Sequence, residues 1–220
     1  MENPSPEERG APAGRRASRD VRRVQLIEAT ITVLARRGYS ALTIADVARQ
    51  AGLSLGIVNF HFASKERLLA ECLRHLAGGY RQTWMAAMEA AGPDPARRLA
   101  AMLLADFDPA SFTSERLAAW IAFWGETQGR PTYDEICGAF DAERLAANTA
   151  LCRELAAAGP YAIDAALAAR TLEALGDGLW YGMVSASGKA GDGGAETGRR
   201  AVRLALAAFF PHHFKMPEPA

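Results

Sequence analysis

The chain has 220 residues and no formal net charge, since 25 Lys and Arg residues balance 25 Asp and Glu residues. Half of the residues are hydrophobic, which is enough to bury a sizeable core. No apolar run approaches the roughly 20 residues that span a bilayer, and the N-terminus lacks a signal-peptide core. We therefore expect a cytoplasmic protein with no membrane partner. Abundant Ala and few alternating β-branched runs predict an all-α fold.

The charge is not evenly distributed along the chain. Residues 1–80 hold 12 basic against 8 acidic side chains, and residues 81–220 hold 13 against 17. A basic excess is what binding to a phosphate backbone requires. Residues 1–19 are rich in Pro, Gly, Arg and Glu, which predicts a disordered basic arm. Arg15, Arg16 and Arg19 could follow phosphates or enter a minor groove, or the arm could be a solvated tail.

A first helix is expected over residues 20–37, with Gly38 as its C-terminal stop. Ile44, Val47, Ala48 and Ala51 follow the i, i+3, i+4, i+7 rule and predict a second, short amphipathic helix. The hydroxyl of Thr43 is placed to cap it, with Asp46 in its first turn.

Gly52 then permits a sharp turn, and Ser54 can cap a third helix. We expect Leu53, Ile57 and Val58 to pack inward. The outward positions of this helix are then small or polar, as in a helix that enters a major groove: Ser54, Leu55, Gly56, Asn59 and His61. A further helix start at Ser64, together with Lys65, forms a phosphate clamp.

The order of these features resembles the N-terminal domain of the TetR family of bacterial transcriptional repressors. The resemblance rests on the helix ending in Gly38, on TIADVARQAGLS, and on GIVNFHFASKERLL. It implies a DNA-binding domain over residues 20–80, a helix-turn-helix near 43–62, and DNA contacts from Thr43 and Lys65 as well as the outward positions. Asn59 stands where many members carry a phosphate-contacting Tyr, so it could read adenine instead. A plain three-helix packing unit is the alternative.

The second domain, residues 81–212, is expected to bind a ligand and to form a dimer. A long helix over 64–91 joins it to the first domain. Apolar periodicity and Gly and Pro breaks predict further helices. The first is a short helix from beyond Pro95 to about residue 106, and the others cover about 113–128, 133–157, 163–187 and 195–210. The Gly-rich stretch 188–198 is expected to be a loop and lacks the phosphate-binding register. The last two helices are rich in small residues and are expected to pair with a second copy, unless they only close the monomer core.

Aromatic side chains on neighbouring helical faces, with one carboxylate, could enclose a quaternary ammonium ion through cation–π attraction and charge. The candidates are Phe107, Trp120, Trp124, Tyr133, Asp177, Trp180 and Tyr181. Aromatics at helical spacing are also often plain core. Two runs, FDPASFTSERLAAWIAFWGETQGRPTY and DGLWYG, resemble the C-terminal domain of the choline-responsive BetI-type repressors. That resemblance implies repression of choline uptake or glycine betaine synthesis genes from a palindromic operator; relatives with the same domain sense other small molecules.

Other classes of protein fit less well. No Ser or Cys nucleophile is spaced with a base and an orienting acid, so we expect no catalytic residues and no enzyme. We expect no cofactor. Cys72 and His75 could begin a metal site, but no second ligand pair follows, and no metal is expected. A redox-sensing repressor would need an exposed, low-pKa thiol, whereas Cys72, Cys137 and Cys152 stand among apolar neighbours and are odd in number, as expected of reduced thiols.

Overall fold

The computed structural model describes residues 13–108, 113–126, 132–185 and 192–218. Every regular element in these ranges is a helix, which confirms the all-α prediction. The helices are α1 (Ala13–Ala41), α2 (Ile44–Ala51), α3 (Leu55–His61), α4 (Lys65–Ala90), α5 (Pro95–Leu104), α6 (Ser114–Trp124), α7 (Thr132–Ala158), α8 (Ala165–Ser185) and α9 (Asp192–Phe209), with a 3₁₀ turn at Ala105–Phe107 after α5. None of the described helices is long and apolar enough to cross a membrane.

α1 begins at Ala13, so residues 13–19 of the predicted disordered arm are helical. Residues 1–12 lie outside the described residues. The predicted break at Gly38 is present as a kink with φ 74°, a left-handed value that Gly adopts without strain, and the helix continues to Ala41. Leu26, Ile31 and Leu34 of α1 are buried, whereas Val24, which the apolar spacing also selects, is 48% exposed.

Two of the three helix caps predicted in the N-terminal half form. The Thr43 side chain accepts a hydrogen bond from the Asp46 amide at the start of α2. Ser64 accepts one from the Arg67 amide at the start of α4. Gly52 ends α2 in the left-handed conformation, with φ 65°, as a residue in a tight turn requires. These local contacts fix the angle between α2 and α3.

The buried side chains form one continuous cluster that runs through all nine described helices and includes Leu26, Leu69, Leu103, Leu155 and Phe210. α4 passes through this cluster, from Lys65 at its N-terminal end to Trp84 and Met88. The predicted domain boundary at residue 80 therefore falls inside α4, and the two predicted domains share this helix.

Residues 192–198, in the C-terminal part of the predicted loop 188–198, are helical. α9 begins at Asp192, so the glycines at 193, 194 and 198 belong to a helix. A Cβ at position 198 would stand 2.3 Å from the Phe107 ring. Gly198 is therefore a close-packing position rather than a loop residue; residues 186–191 lie outside the described residues.

Candidate DNA-reading surface and ligand pocket

The start of α2 and its contact with α1 are fixed by hydrogen bonds around Asp46. The Thr43 hydroxyl donates to Asp46 Oδ2 at 2.7 Å, and Arg37 and Arg49 pair with the same carboxylate at 2.9 and 3.1 Å. The hydrogen bond from Thr43, with the two guanidinium groups, lowers the pKa of Asp46. Thr43 is exposed at the start of α2, but its hydroxyl proton is already engaged by this carboxylate. It can still accept a hydrogen bond there.

The outward face of α3 carries the predicted reading residues. Ser54, Leu55, Gly56 and Asn59 are all exposed. Ser54 occupies the N-cap position, but its side chain makes no capping hydrogen bond, so the expected capping role is wrong and the hydroxyl faces outward. Ile57 was expected to pack inward and is 37% exposed. On so short a helix Val58, which is fully buried, takes the inward position, and Ile57 is turned about 100° to the side.

Phe60 is a residue that sequence reasoning missed. Its side chain is 70% exposed on α3, with the Arg19 guanidinium 5.5 Å from the ring centroid and the His61 ring edge-on at 5.3 Å. An exposed aromatic on a seven-residue helix is a candidate contact surface, because Phe can pack against a thymine methyl group. The sequence did offer a signal, because Phe60 is apolar but lies two positions from each of the buried residues Val58 and Phe62 and so falls on another face of the helix.

His61 and Lys65 lie at the edge of this surface. Burial and the nearby Arg19 and Arg23 guanidinium groups lower the pKa of His61, so its imidazole is neutral at pH 7 and can offer an N–H donor rather than a charge. Lys65 donates from Nζ to the Ser40 carbonyl at 3.3 Å and lies 6.0 Å from the Tyr39 ring centroid. Its ammonium group thus sits where the end of α1 meets the start of α4.

A pocket of about 330 Å³ opens between α4, α6, α7 and α8. One wall is aromatic and is formed by Tyr80, Trp120, Trp124 and Tyr133. Trp124 donates from Nε1 to the Tyr133 hydroxyl at 2.9 Å, which fixes both rings. The Tyr80 ring meets Trp120 edge-on at 6.2 Å. The wall is therefore built by packed, oriented rings rather than by mobile side chains.

The rest of the pocket lining is mostly charged, and the Arg144 guanidinium lies 5.0 Å from the Tyr80 ring centroid. The charged residues of the lining are Asp141, Arg144, Arg170, Glu173 and Asp177. Arg144 is buried and donates to Asp106 from Nη2 and to Glu173 from Nε, each at 2.8 Å. Within the described part of the chain, Asp141 and Asp177 make no hydrogen bond or ion pair. Neither carboxylate has a direct partner, although the nearby Arg144 guanidinium opposes the rise in the pKa of each.

The electrostatics of these two carboxylates fit that arrangement. Burial, together with repulsion from Asp177 and Glu173, raises the pKa of Asp141 to about 6. Burial and Glu173 also raise the pKa of Asp177. Groups that repel one another in the empty pocket are stabilised when a cation enters. Ring faces also attract cations, so the aromatic rings and the carboxylates of the lining both favour a positively charged ligand.

Four of the seven predicted ligand residues line this pocket: Trp120, Trp124, Tyr133 and Asp177. Phe107 does not, because its buried ring packs against Gly198 of α9. Trp180 is buried behind the wall, stacked on Trp124, with its Nε1 donating to the Asp106 carbonyl at 3.0 Å. Tyr181 is 61% exposed on the outer side of α8.

Sequence reasoning missed Tyr80, Asp141, Arg144, Arg170 and Glu173 as pocket residues. Arg144 and Glu173 look like ordinary charges on helix surfaces. Their pairing joins positions 29 residues apart and depends on how α7 packs on α8, which no local pattern reveals. Tyr80 offered a weak signal as an aromatic residue in the C-terminal half of α4.

The three cysteines are buried. Burial raises the pKa of each thiol, to about 12 for Cys137 and Cys152 and further for Cys72. A thiol with so high a pKa forms little thiolate and reacts slowly with oxidants, which argues against redox sensing. Among the described residues no group of three His, Cys, Asp or Glu is placed to hold a metal ion.

Comparison with known proteins gives the family of each half of the chain. Residues 26–72 match the family described as bacterial regulatory proteins of the tetR family. Residues 95–211 match the family of BetI-type transcriptional repressor C-terminal domains. The chain belongs to the TetR family, and its C-terminal domain is of the BetI type. It is thus a ligand-controlled DNA-binding transcriptional repressor, a class that binds operator DNA and small-molecule effectors, and its relatives are regulators rather than enzymes.

Relatives over most of the chain are consistent with this membership. The transcriptional regulator BetI of Burkholderia thailandensis is 38% identical over 173 residues, which cover 77% of this chain and 85% of that one. BetI of Paraburkholderia phytofirmans is 36% identical over 162 residues, covering 74% and 81%. A crystal structure of a regulator from Saccharomonospora viridis in complex with choline has a TM-score of 0.73 at 22% identity, covering 89% of this chain and 98% of that one, and so shares the TetR-family fold.

Proposed function

We propose that this repressor works as a homodimer whose hold on a palindromic operator is released by choline or a closely related quaternary ammonium ion. The proposal rests on the pocket, whose lining combines four aromatic rings with the carboxylates of Asp141 and Asp177. Among the described residues, neither carboxylate has a hydrogen-bond or ion-pair partner. A quaternary ammonium ion has no N–H to donate, so ring faces and carboxylate charge are the groups that can hold it.

The comparisons support the same ligand class. The relatives from Burkholderia and Paraburkholderia carry the name BetI, and the regulator from Saccharomonospora viridis was crystallised with choline. By resemblance to BetI-type repressors, the regulated genes would be those of choline uptake or glycine betaine synthesis. The pocket, about 330 Å³, also has room for an organic cation larger than choline, so a regulator of other genes with a different cationic effector is the second candidate.

In this proposal α3 reads the major groove through Ser54, Leu55 and Asn59, with Gly56 allowing close approach of the helix. Their shared exposure on one short helix supports that role. Thr43, His61 and Lys65, at the rim of the same surface, contact phosphates. These contacts position the reading helix, and the base-facing residues supply specificity.

The dimer would form through the outer faces of α8 and α9. Leu167, Tyr181 and Leu204 are 62%, 61% and 48% exposed there. Gly178 and Gly182 lie on the same side of α8, and a Cβ at either would meet nothing within 4 Å, so a second helix could approach closely. The α2–α3 unit of each subunit is its reading head. Two reading heads related by two-fold symmetry would match palindromic half-sites about 34 to 36 Å apart.

The pocket and the DNA surface share α4, which carries Tyr80 at the pocket and Lys65 at the DNA end. A cation seated against Tyr80 and Trp120 would tilt α4 and change the separation of the two heads. A reading head that is out of register no longer fits the major groove of its half-site, and the protein dissociates from the operator.

Operator release tests the proposal. DNA from around the gene is titrated with the protein in the presence of choline, betaine aldehyde or glycine betaine, and binding is followed by fluorescence anisotropy. Release by choline or the aldehyde supports the quaternary ammonium reading. Tight operator binding that none of the three weakens would reject these effectors and favour the second candidate.

A further inference from the structure

The carboxylate of Glu28, on α1 of the DNA-binding half, joins three helices. Arg116 of α6 donates from Nη2 to both Glu28 oxygens, at 2.9 and 3.1 Å. The Nε2 atom of His75, on α4, lies 2.8 Å from Glu28 Oε1. One side chain of the reading domain is thus held at once by the two helices that carry the pocket's Trp120 and Tyr80.

Both partners of Glu28 stand close to the pocket along their own helices. Arg116 precedes Trp120 by one helical turn on α6. His75 precedes Tyr80 by five residues on α4, a rise of about 7.5 Å. Because a helix moves as a nearly rigid rod, a displacement at either ring carries its neighbour one turn away.

On the DNA side, Glu28 is equally well placed. α1 supports the reading helices, since Gln25 donates to the Ala51 carbonyl at 2.8 Å and Arg19 lies over the Phe60 ring. The position of α1 relative to α4 and α6 therefore sets the pose of α2 and α3.

We propose that Glu28 is a positioning residue that couples the ligand pocket to the DNA-reading head, with Arg116 and His75 as its partners. When a ligand displaces Trp120 or Tyr80, the pull on Glu28 moves α1 and the reading helices with it. This inference rests on the proposed control of operator binding by the pocket, and it assigns the junction through which that control passes.

The protein contains a matched control on the same two helices. Arg36 of α1 and Glu115 of α6 form an ion pair at 3.8 Å, in which both side chains are at least half exposed. Half-exposed ion pairs contribute little to folding stability, so neither Glu28→Gln nor Glu115→Gln is expected to unfold the protein. A difference between the two variants would therefore report the position of the charge, not the loss of an ion pair as such.

The experiment uses the full-length protein and the variants Glu28→Gln, Arg116→Gln, their combination, and Glu115→Gln. For each, the operator Kd is measured without choline and at saturating choline, and the choline Kd is measured without DNA. The ratio of the two operator Kd values is the release factor, which is the coupling between the sites.

We expect Glu28→Gln to keep the choline Kd within about twofold and to reduce the release factor about fivefold or more. The double variant should behave like Glu28→Gln, because Arg116 has already lost its carboxylate partner in that variant. Glu115→Gln should keep the wild-type release factor. A wild-type release factor in Glu28→Gln would overturn the proposal, as would an equal loss in Glu115→Gln.

The choline-free arm separates this inference from the proposed function. If the junction holds the reading head, Glu28→Gln and Arg116→Gln each weaken operator binding, Glu28→Gln by about threefold or more, and the double variant binds no more weakly than Glu28→Gln. If choline fails to release the wild-type protein, the choline proposal is rejected, and this arm alone decides the role of Glu28. Operator affinities equal to wild type in both single variants would then overturn it.

Discussion

Trp124 and Trp180 stack nearly parallel, with ring centroids 6.1 Å apart and an interplanar angle of 15°. Trp180 is fixed from behind by its hydrogen bond to the Asp106 carbonyl, and Trp124 is fixed from the side by Tyr133. The face that Trp124 presents to the pocket is therefore set before any ligand arrives. Such preorganisation lowers the cost of ordering side chains on binding.

The first prediction concerns this ring face. Trp124→Leu removes it and should raise the choline Kd about 5- to 30-fold, because a desolvated cation–π contact contributes roughly 1 to 2 kcal/mol. Trp124→Phe keeps a π face without the indole N–H and should lose less. Isothermal titration calorimetry without DNA measures both. Wild-type affinity in Trp124→Leu would remove the aromatic wall from the binding site.

The second prediction concerns pH. In the empty pocket, burial and neighbouring carboxylates raise the pKa of Asp141 to about 6. A bound cation favours the ionised form and lowers that pKa, so binding releases protons and weakens as the pH falls through 6. Choline affinity should drop about fourfold between pH 7.5 and 5.5, because the ionised fraction of Asp141 falls about fourfold over that range. Asp141→Asn should flatten this part of the profile; an unchanged slope in that variant would contradict the assignment.

The third prediction concerns packing between the 3₁₀ turn and α9. A Cβ at Gly198 would stand 2.3 Å from the buried Phe107 ring, so Gly198→Ala should destabilise the fold by about 1 to 3 kcal/mol. Gly138 on α7 is the control, since a Cβ there meets nothing within 4 Å and the substitution should stabilise by about 0.5 to 1 kcal/mol. Urea unfolding measures both. A Gly198→Ala protein as stable as wild type would show that the turn can shift freely.

The N-terminal half could be predicted closely because its signals are local. Thr43, Gly52 and Ser64 each act within a few residues, through a cap or a turn, and each cap or turn forms as expected. The exceptions are also informative. Ile57 and Val24 fit the apolar spacing but are exposed, because periodicity gives a helix face and not the width of the surface that covers it.

The pocket could be predicted only in part. Trp120 and Trp124 were identifiable as a cluster on one helix, whereas Arg144 and Asp141 acquire their roles from packing against α8. Gly198 misled for the opposite reason: a run of glycines is typical of a loop, yet here a glycine gives an aromatic ring room inside a helix contact. Long-range packing decides both, and it leaves no local pattern.

The fourth prediction concerns how the operator is read. Asn59 is exposed on α3, and if its amide pairs with adenine, Asn59→Ala should change the order of preference among operator variants at one position. Lys65→Ala should instead weaken binding to all of these sequences alike and reduce the salt slope by about one. Anisotropy titrations over a panel of operator variants at three salt concentrations separate the two. Unchanged preference with uniformly lower affinity would make Asn59 a backbone contact.

In the proposed mechanism, a positively charged ligand in the aromatic and acidic pocket controls the affinity of the protein for its operator. This mechanism is tested most directly by comparing choline with 3,3-dimethylbutan-1-ol, which has the same shape but carries carbon in place of the charged nitrogen. Binding to the DNA-free protein and release of the operator are measured for both compounds on one preparation. We expect choline to bind and to release the operator, and the neutral compound to be weaker by about tenfold or more in both measurements. Equal potency of the two compounds, or binding of choline without release, would contradict this mechanism.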